Sequence, residues 1–130
     1  DSKLANLSTR AFVSTGSNIV IAGFLLSDNV TMDNVIVRGL GPSVPATSFP
    51  KLADPNLELR NANGVLLISN NDWEDNPVQR AIIIAAGLAP TNPRESAVAA
   101  TLPPGLYTAL LFGTAAGTGI GLVEVYDLGP

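Results

Sequence analysis

The densest group of chemically useful side chains is the run Asn70-Asn71-Asp72-Trp73-Glu74-Asp75-Asn76. Asp72, Glu74 and Asp75 put three carboxylates within four residues, flanked by amides. These are the hard oxygen donors that Ca²⁺ gathers in sets of about six to eight. Asp72, Glu74 and Asp75 are therefore the candidate metal ligands. The run has neither the spacing of an EF-hand nor the glycine that would kink one. The same residue types also build Asx turns, which would shape a solvated loop and cap a following helix. Trp73 is the only tryptophan. It is the candidate ligand-binding residue, able to stack on a sugar ring or anchor a partner, or else it folds back as a lid over one end of the core.

Catalytic groups are scarce. The chain has no histidine and no cysteine, which excludes a Ser-His-Asp triad, thiolate metal sites and cysteine nucleophiles. Ser8, Ser14, Ser43 and Ser96 thus have no imidazole to activate them. Asp54, Glu58 and Glu95 are the carboxylates from which an acid–base pair could be drawn, but nothing in their spacing brings two together. Their plainer role is as surface charges and partners for Arg60 and Arg94. Gly39-Leu40-Gly41-Pro42 lacks the Lys-Ser/Thr of a phosphate loop, and the glycines between Gly113 and Gly121 have no basic neighbour, so both read as turns. Asn6-Leu7-Ser8 and Asn29-Val30-Thr31 match the glycosylation sequon. The expectation is a non-enzymatic protein with no catalytic residues.

Short strands separated by turn residues must position these groups. Strands are expected over 4–13, 18–26, 34–40, 57–61, 65–69, 95–102, 106–112 and 120–128. Gly23 is expected to mark a bulge or a close approach. Pro and Gly make the stretch that begins at Gly39 and runs to Pro55 long and irregular, to be packed down by Val44, Phe49 and Leu52. Asn61-Ala62-Asn63-Gly64 predicts a tight turn, so 57–69 is a hairpin. Residues 78–86 read as a short helix with Val78, Ile82 and Ala85 on one face and Gly87 just beyond its end, although the three consecutive isoleucines 82–84 also suit a strand. No βα alternation and no repeat is visible. The pattern predicts an all-β, two-sheet antiparallel sandwich of Greek-key or jelly-roll type, one domain over 1–130, with about eight strands and one short helix.

Composition adds a question of surface. Apolar residues make up 46 % of the chain and charged residues 14 %, against about 25 % charged in ordinary soluble domains. Seven basic and eleven acidic side chains must serve roughly 6,500 Å² of surface. In the strand 106–112, Tyr107, Ala109 and Leu111 alternate with Thr108, Leu110 and Phe112, so both faces are apolar or nearly so. Such a strand calls for cover on both sides, by its own chain or by another molecule. The net charge of −4 leaves no basic face for nucleic acid, and the longest apolar run, 81–86, is too short to span a bilayer. No leader is visible, which places Asp1 near a mature N-terminus if the protein is secreted.

Two blocks of motifs carry a family resemblance. One comprises Leu7-Ser-Thr-Arg-Ala-Phe-Val13, Ile21-Ala-Gly-Phe24 and Val37-Arg-Gly-Leu-Gly-Pro-Ser43. The other comprises Ala53-Asp-Pro-Asn-Leu-Glu-Leu-Arg60, Asn63-Gly64, Asn71-Asp-Trp73, Glu95-Ser-Ala97, Leu102-Pro-Pro-Gly-Leu-Tyr-Thr108 and Gly121-Leu-Val-Glu-Val-Tyr-Asp-Leu128. Together they resemble an uncharacterised β-module that recurs in large secreted bacterial proteins. The second half is also similar to the bacterial pre-peptidase C-terminal domain, a β-sandwich accessory module, in its Asn-Gly turn, acidic loop, Pro-Gly-Tyr-Thr segment and final hairpin. Both resemblances imply an extracellular, non-catalytic module at the bacterial cell surface or beyond it, and neither supplies catalytic residues.

The resulting expectation is a structural protein that associates with copies of itself, as a fibre or surface-layer subunit. Residues 1–13 are the expected donor or edge strand for strand addition, with Leu4, Leu7, Thr9 and Phe12 as the assembly residues. A head-to-tail contact of that kind leaves open ends and builds a filament. The alternative expectation is an accessory module binding carbohydrate or Ca²⁺ through Trp73 and the acidic loop, with no other cofactor.

Overall fold

The computed structural model describes residues 6–15, 19–27, 32–45 and 48–130. Eight strands occur in chain order: β1 (Leu7–Val13), β2 (Val20–Leu26), β3 (Asp33–Leu40), β4 (Pro55–Asn61), β5 (Leu66–Asn70), β6 (Ser96–Leu102), β7 (Gly105–Gly113) and β8 (Gly119–Asp127). One helix, α1 (Pro77–Ala85), lies between β5 and β6. The strands form two four-stranded antiparallel sheets, β1-β8-β3-β6 and β2-β7-β4-β5. Only β4 and β5 are consecutive strands of one sheet. Every other connection crosses between sheets, which gives the jelly-roll form of the sandwich. The last three strands are accordingly no meander: β6 and β8 belong to one sheet and β7 to the other.

Period-two alternation sorts the side chains. Val13, Val20, Ala22, Val35, Val37, Leu57, Leu59, Val98, Tyr107, Ala109, Leu111, Val123 and Val125 point inward and form the core between the sheets. Residues of opposite parity on β3, β6 and β8 face outward, yet most are buried as well. Two long connections fold back over them. The segment 71–94 lays Trp73, Ile83 and Leu88 on Ile36, Ala97, Ala99 and Tyr126. The stretch 41–54 lays Val44 on Leu40, Ile120 and Leu122, while its Leu52 reaches the inter-sheet core. Gly41 permits this, since any Cβ there would collide with the Leu52 carbonyl. Phe49 does not pack down as expected. It is 61 % exposed and meets the half-exposed Phe12 ring edge-on at 6.4 Å.

Local chemistry fixes the turns. Asn61 accepts backbone N–H bonds from Asn63 and Val65 through Oδ1, at 2.9 and 3.0 Å, closing the β4–β5 hairpin. Asn76 caps α1 by accepting from the Val78 and Gln79 N–H groups, Pro77 opens the first turn, and Gly87 leaves the helix at φ 72°. Gly23 produces no bulge: it sits in regular register opposite Thr108 on the outer face of β2.

The helix lies the other way up from the expectation. Val78, Ala81, Ile82 and Ala85, spaced i, i+3, i+4 and i+7, face solvent. Ile83 is its one fully buried side chain. The reason is Gln79. Its Oε1 accepts from Ala99 N–H at 2.7 Å and its Nε2 donates to Ala99 C=O at 3.0 Å. That double bond to the edge of β6 fixes which side of α1 turns inward, and the apolar stripe is left outside.

Candidate functional site

The acidic loop does not close into a cage. Glu74 faces Arg80 at 3.4 Å, and Asp75 donates its backbone N–H to the Asp72 carbonyl. Asp72 instead lies in the field of Asp54, from the far connection. Burial, then the like charges of Asp54 and Asp75, push the Asp72 carboxyl above its ordinary range, against the pull of Arg94. Oδ1 of Asp72 and Oδ1 of Asp54 are both buried without a hydrogen-bond partner. Neighbouring contacts tie the same end together: Asn71 Oδ1 accepts from Thr114 Oγ1 at 2.9 Å, and Thr114 N–H donates to the Asp54 carbonyl. Among the described residues, no group of three or more carboxylate, imidazole or thiol side chains converges on one point.

Trp73 is the lid. It is 7 % exposed and packs in the cluster with Ile83, Leu88 and Ala97. Its ring presents no face for stacking a sugar. Its backbone N–H donates to the Glu95 carbonyl at 3.0 Å.

Glu95 is the residue that sequence reasoning placed worst. It is fully buried. Oε2 accepts three bonds: from Gly41 N–H at 2.9 Å, Ser43 N–H at 2.9 Å and Ser43 Oγ at 2.6 Å. Glu95 thereby straps the 41–54 connection to the start of β6 and is neither a surface partner of Arg94 nor half of an acid–base pair. Glu58, by contrast, does pair with Arg60 as expected, at 2.8 Å. The signal for the strap was local, in the run Gly41-Pro42-Ser43, which offers converging donors in a turn; its partner is 52 residues away in sequence.

On the outer face of the β1-β8-β3 strands, between the two coverings, an open cleft of about 450 Å³ is lined by Arg10, Arg38, Ser43, Thr91 and Glu124, among others. Arg38 is already engaged: its guanidinium donates to Glu124 Oε1 and to Tyr126 Oη, and lies 5.4 Å from the Tyr126 ring centre. Burial raises the Tyr126 hydroxyl's pKa, and Arg38 opposes that shift. The arrangement holds three side chains in place and leaves no free nucleophile or base among them.

The expected assembly segment is split. Leu4 lies outside the described residues. Leu7, Thr9 and Phe12 lie on β1, which occupies the edge place of its own sheet, paired with β8 from Leu7↔Val125 to Val13↔Gly119. Val13 alone of the strand is buried. At the opposite edge of the same sheet, β6 is sealed: Gln79 takes both backbone groups of Ala99, and Asn70 Oδ1 accepts from Ala97 N–H at 3.1 Å.

Among the described residues, nothing covers the other sheet's outer face in this way. Ile21 and Leu25 on β2 stand opposite Leu110 and Leu106 on β7, and Ile21, Leu25 and Leu106 are 57, 66 and 54 % exposed. Neither strand holds a charged residue. Charge enters only on β4, as the Glu58–Arg60 pair. No family model matches this chain, and no curated protein is similar to it. Among the described residues no helix is long and apolar enough to cross a membrane.

Proposed function

We propose that this jelly roll is a non-catalytic extracellular structural module of a bacterial surface, which associates with copies of itself as a subunit of a fibre or surface layer. The single observation that carries this reading is the bare apolar face of β2 and β7, which the chain's own helix and long connection leave uncovered while they cover the other sheet. An apolar patch of this kind on a folded domain marks a contact surface. The sparse charge and the sparse catalytic chemistry agree with it.

Strand addition is the route we infer. Within the β1-β8-β3-β6 sheet it is confined to the β1 side, because side-chain amides seal β6. β1 is lightly held, with one buried residue in seven, so exchanging it for the same strand of a neighbour costs little. Residues 1–13 of one copy would then pair with β8 of the next, an open-ended contact. Deleting residues 1–13 is expected to leave a folded domain that no longer assembles, and a peptide of residues 1–13 added in excess to the intact chain is expected to cap the assemblies. Assembly that persists unchanged in both experiments rules this route out.

The second reading, a Ca²⁺- or carbohydrate-binding accessory module, is favoured by one observation: the unpartnered oxygens of Asp54 and Asp72. A rise in melting temperature with Ca²⁺ that EDTA reverses, in a chain that stays monomeric, would select it over self-association.

A further inference from the structure

We infer that the cleft across the outer face of β1, β8 and β3 is a binding site for a uronic acid residue of an acidic polysaccharide, with Arg10 receiving its carboxylate. The inference goes beyond the self-association reading and stands apart from it. β1 brings Ser8 and Arg10 to the cleft whether the strand belongs to the same copy or to a neighbour. Strand register builds the floor in two rows. Ser8, Glu124 and Arg38 stand side by side in one, and Arg10, Leu122 and Leu40 in the next. The two coverings supply the walls, Ser43 from the 41–54 connection and Thr91 from the 71–94 segment. The space of about 450 Å³ lies within the range of about 300–1,000 Å³ usual for small-molecule sites.

Charge selects the ligand. Among the described residues lining the cleft, Arg10, Arg38 and Glu124 are ionised, and the last two neutralise each other. Every nitrogen of the Arg38 guanidinium is used: Nη1 donates to the Leu88 carbonyl, while Nε and Nη2 hold Glu124. Arg10 is exposed in the cleft and has no side-chain partner among the described residues. A chain of net charge −4 thus keeps one uncompensated guanidinium beside a neutral ion pair, which fits a single negative charge. The planar fork of arginine matches a carboxylate with two parallel bonds. A phosphate group would call for more, a second free cation or a nest of backbone N–H groups. The N–H groups of Gly41 and Ser43, in the turn beside the cleft, are already taken by Glu95. The rest of the lining asks for hydroxyl groups. Glu124 accepts from Arg38 and Tyr126 on Oε1 alone, which leaves Oε2 to accept from a ligand. The exposed hydroxyls of Ser8 and Thr91 make no bond to the described residues, and each can both donate and accept. Leu40, Leu122 and Pro45 offer an apolar strip to the C–H face of a ring. A compact ring carrying one carboxylate and several hydroxyls meets all of these groups, and that is a uronic acid. The end of a peptide brings the carboxylate without the hydroxyls.

The test is calorimetric titration of the intact chain with a short oligogalacturonate, a galactose oligomer of equal length and acetate, at one ionic strength. EDTA is present throughout, which keeps a Ca²⁺ bridge to the acidic loop out of the reading. The oligogalacturonate is expected to bind. The galactose oligomer and acetate should each bind at least about tenfold more weakly, since each lacks half of the recognition. Arg10 has no side-chain partner to lose, so its substitution leaves the fold in place. Arg10→Gln should weaken the oligogalacturonate at least about tenfold, and Arg10→Lys by less, because a point charge remains without the fork. Equal binding of the galactose oligomer or of acetate overturns the inference. So does oligogalacturonate that fails to bind, or that binds Arg10→Gln as it binds wild type. Sedimentation of the same samples without sugar reads self-association separately, so the failure of either reading is told from that of the other.

Discussion

Glu95 shows how one side chain can hold an otherwise loose connection. Its three accepted bonds all come from donors in the 41–43 turn, and two of those donors are backbone N–H groups. Removing the carboxylate leaves them short of partners in a buried place, where each unsatisfied donor costs about 1–3 kcal/mol. Glu95→Ala is therefore expected to lower unfolding stability by about 3 kcal/mol or more in chemical denaturation, with Glu95→Gln milder because an amide oxygen still accepts. A loss under 1 kcal/mol for Glu95→Ala would show that the strap is idle. Asp72 works in the opposite sense. Its folded-state pKa is raised, first by burial and then by Asp54 and Asp75, so the folded chain holds that proton more tightly than the unfolded one. The protonated carboxyl favours folding, and this contribution is lost as pH rises from the ordinary aspartate range through the raised value. Asp72→Asn is expected to melt higher than wild type at pH 7, with the difference shrinking toward pH 4. A gain that grows on acidification would contradict the sign. Neither role was legible from residue type alone. The acidic neighbours in sequence mark Asp72 as a ligand candidate, whereas the charge that acts on it most is that of Asp54, eighteen positions earlier. Trp73 was legible as far as its two alternatives, and burial chose between them.

At the scale of elements, α1 and β6 are best understood as one unit. The amide of Gln79 imitates a neighbouring strand, giving Ala99 both a donor and an acceptor, and Asn70 does the same for the N–H of Ala97. An edge strand treated this way cannot template another chain. Gln79→Ala is expected to cost about 1–2 kcal/mol and to open the β6 edge, read as faster irreversible aggregation on heating. Unchanged stability and reversibility would mean that the helix alone protects this edge. Helix, hairpin and most strand positions were readable in the sequence, because caps, Asn-Gly turns and alternation are local signals. The orientation of α1 was not. The i, i+4, i+7 stripe of Val78, Ile82 and Ala85 is the usual mark of a buried face, and the hydrogen bonds of a single glutamine override it. Gly23 misled in a smaller way, since a glycine on an outward face in regular register has the same sequence signature as one in a bulge.

For the whole molecule, the two sheets receive unequal treatment. The β1-β8-β3-β6 sheet is covered twice by its own chain, by the 71–94 segment and by the 41–54 connection. The β2-β7-β4-β5 sheet is bare on the β2–β7 half. The chain exposes 6644 Å², close to the roughly 6,500 Å² ordinary for its mass, so the unusual feature is the character of the surface and not its extent. The sandwich class followed from strand length and turn spacing, and the apolar character of both faces of β7 was visible as alternation without polarity. The strand order was not visible, because sheet membership depends on pairings such as β1 with β8 across more than a hundred residues. The measurement that bears most directly on the central claim is sedimentation of the intact chain across a concentration series from micromolar to millimolar. The account predicts a weight-average mass that climbs steadily past two subunits with no plateau. A single species of one chain's mass throughout that range would contradict it.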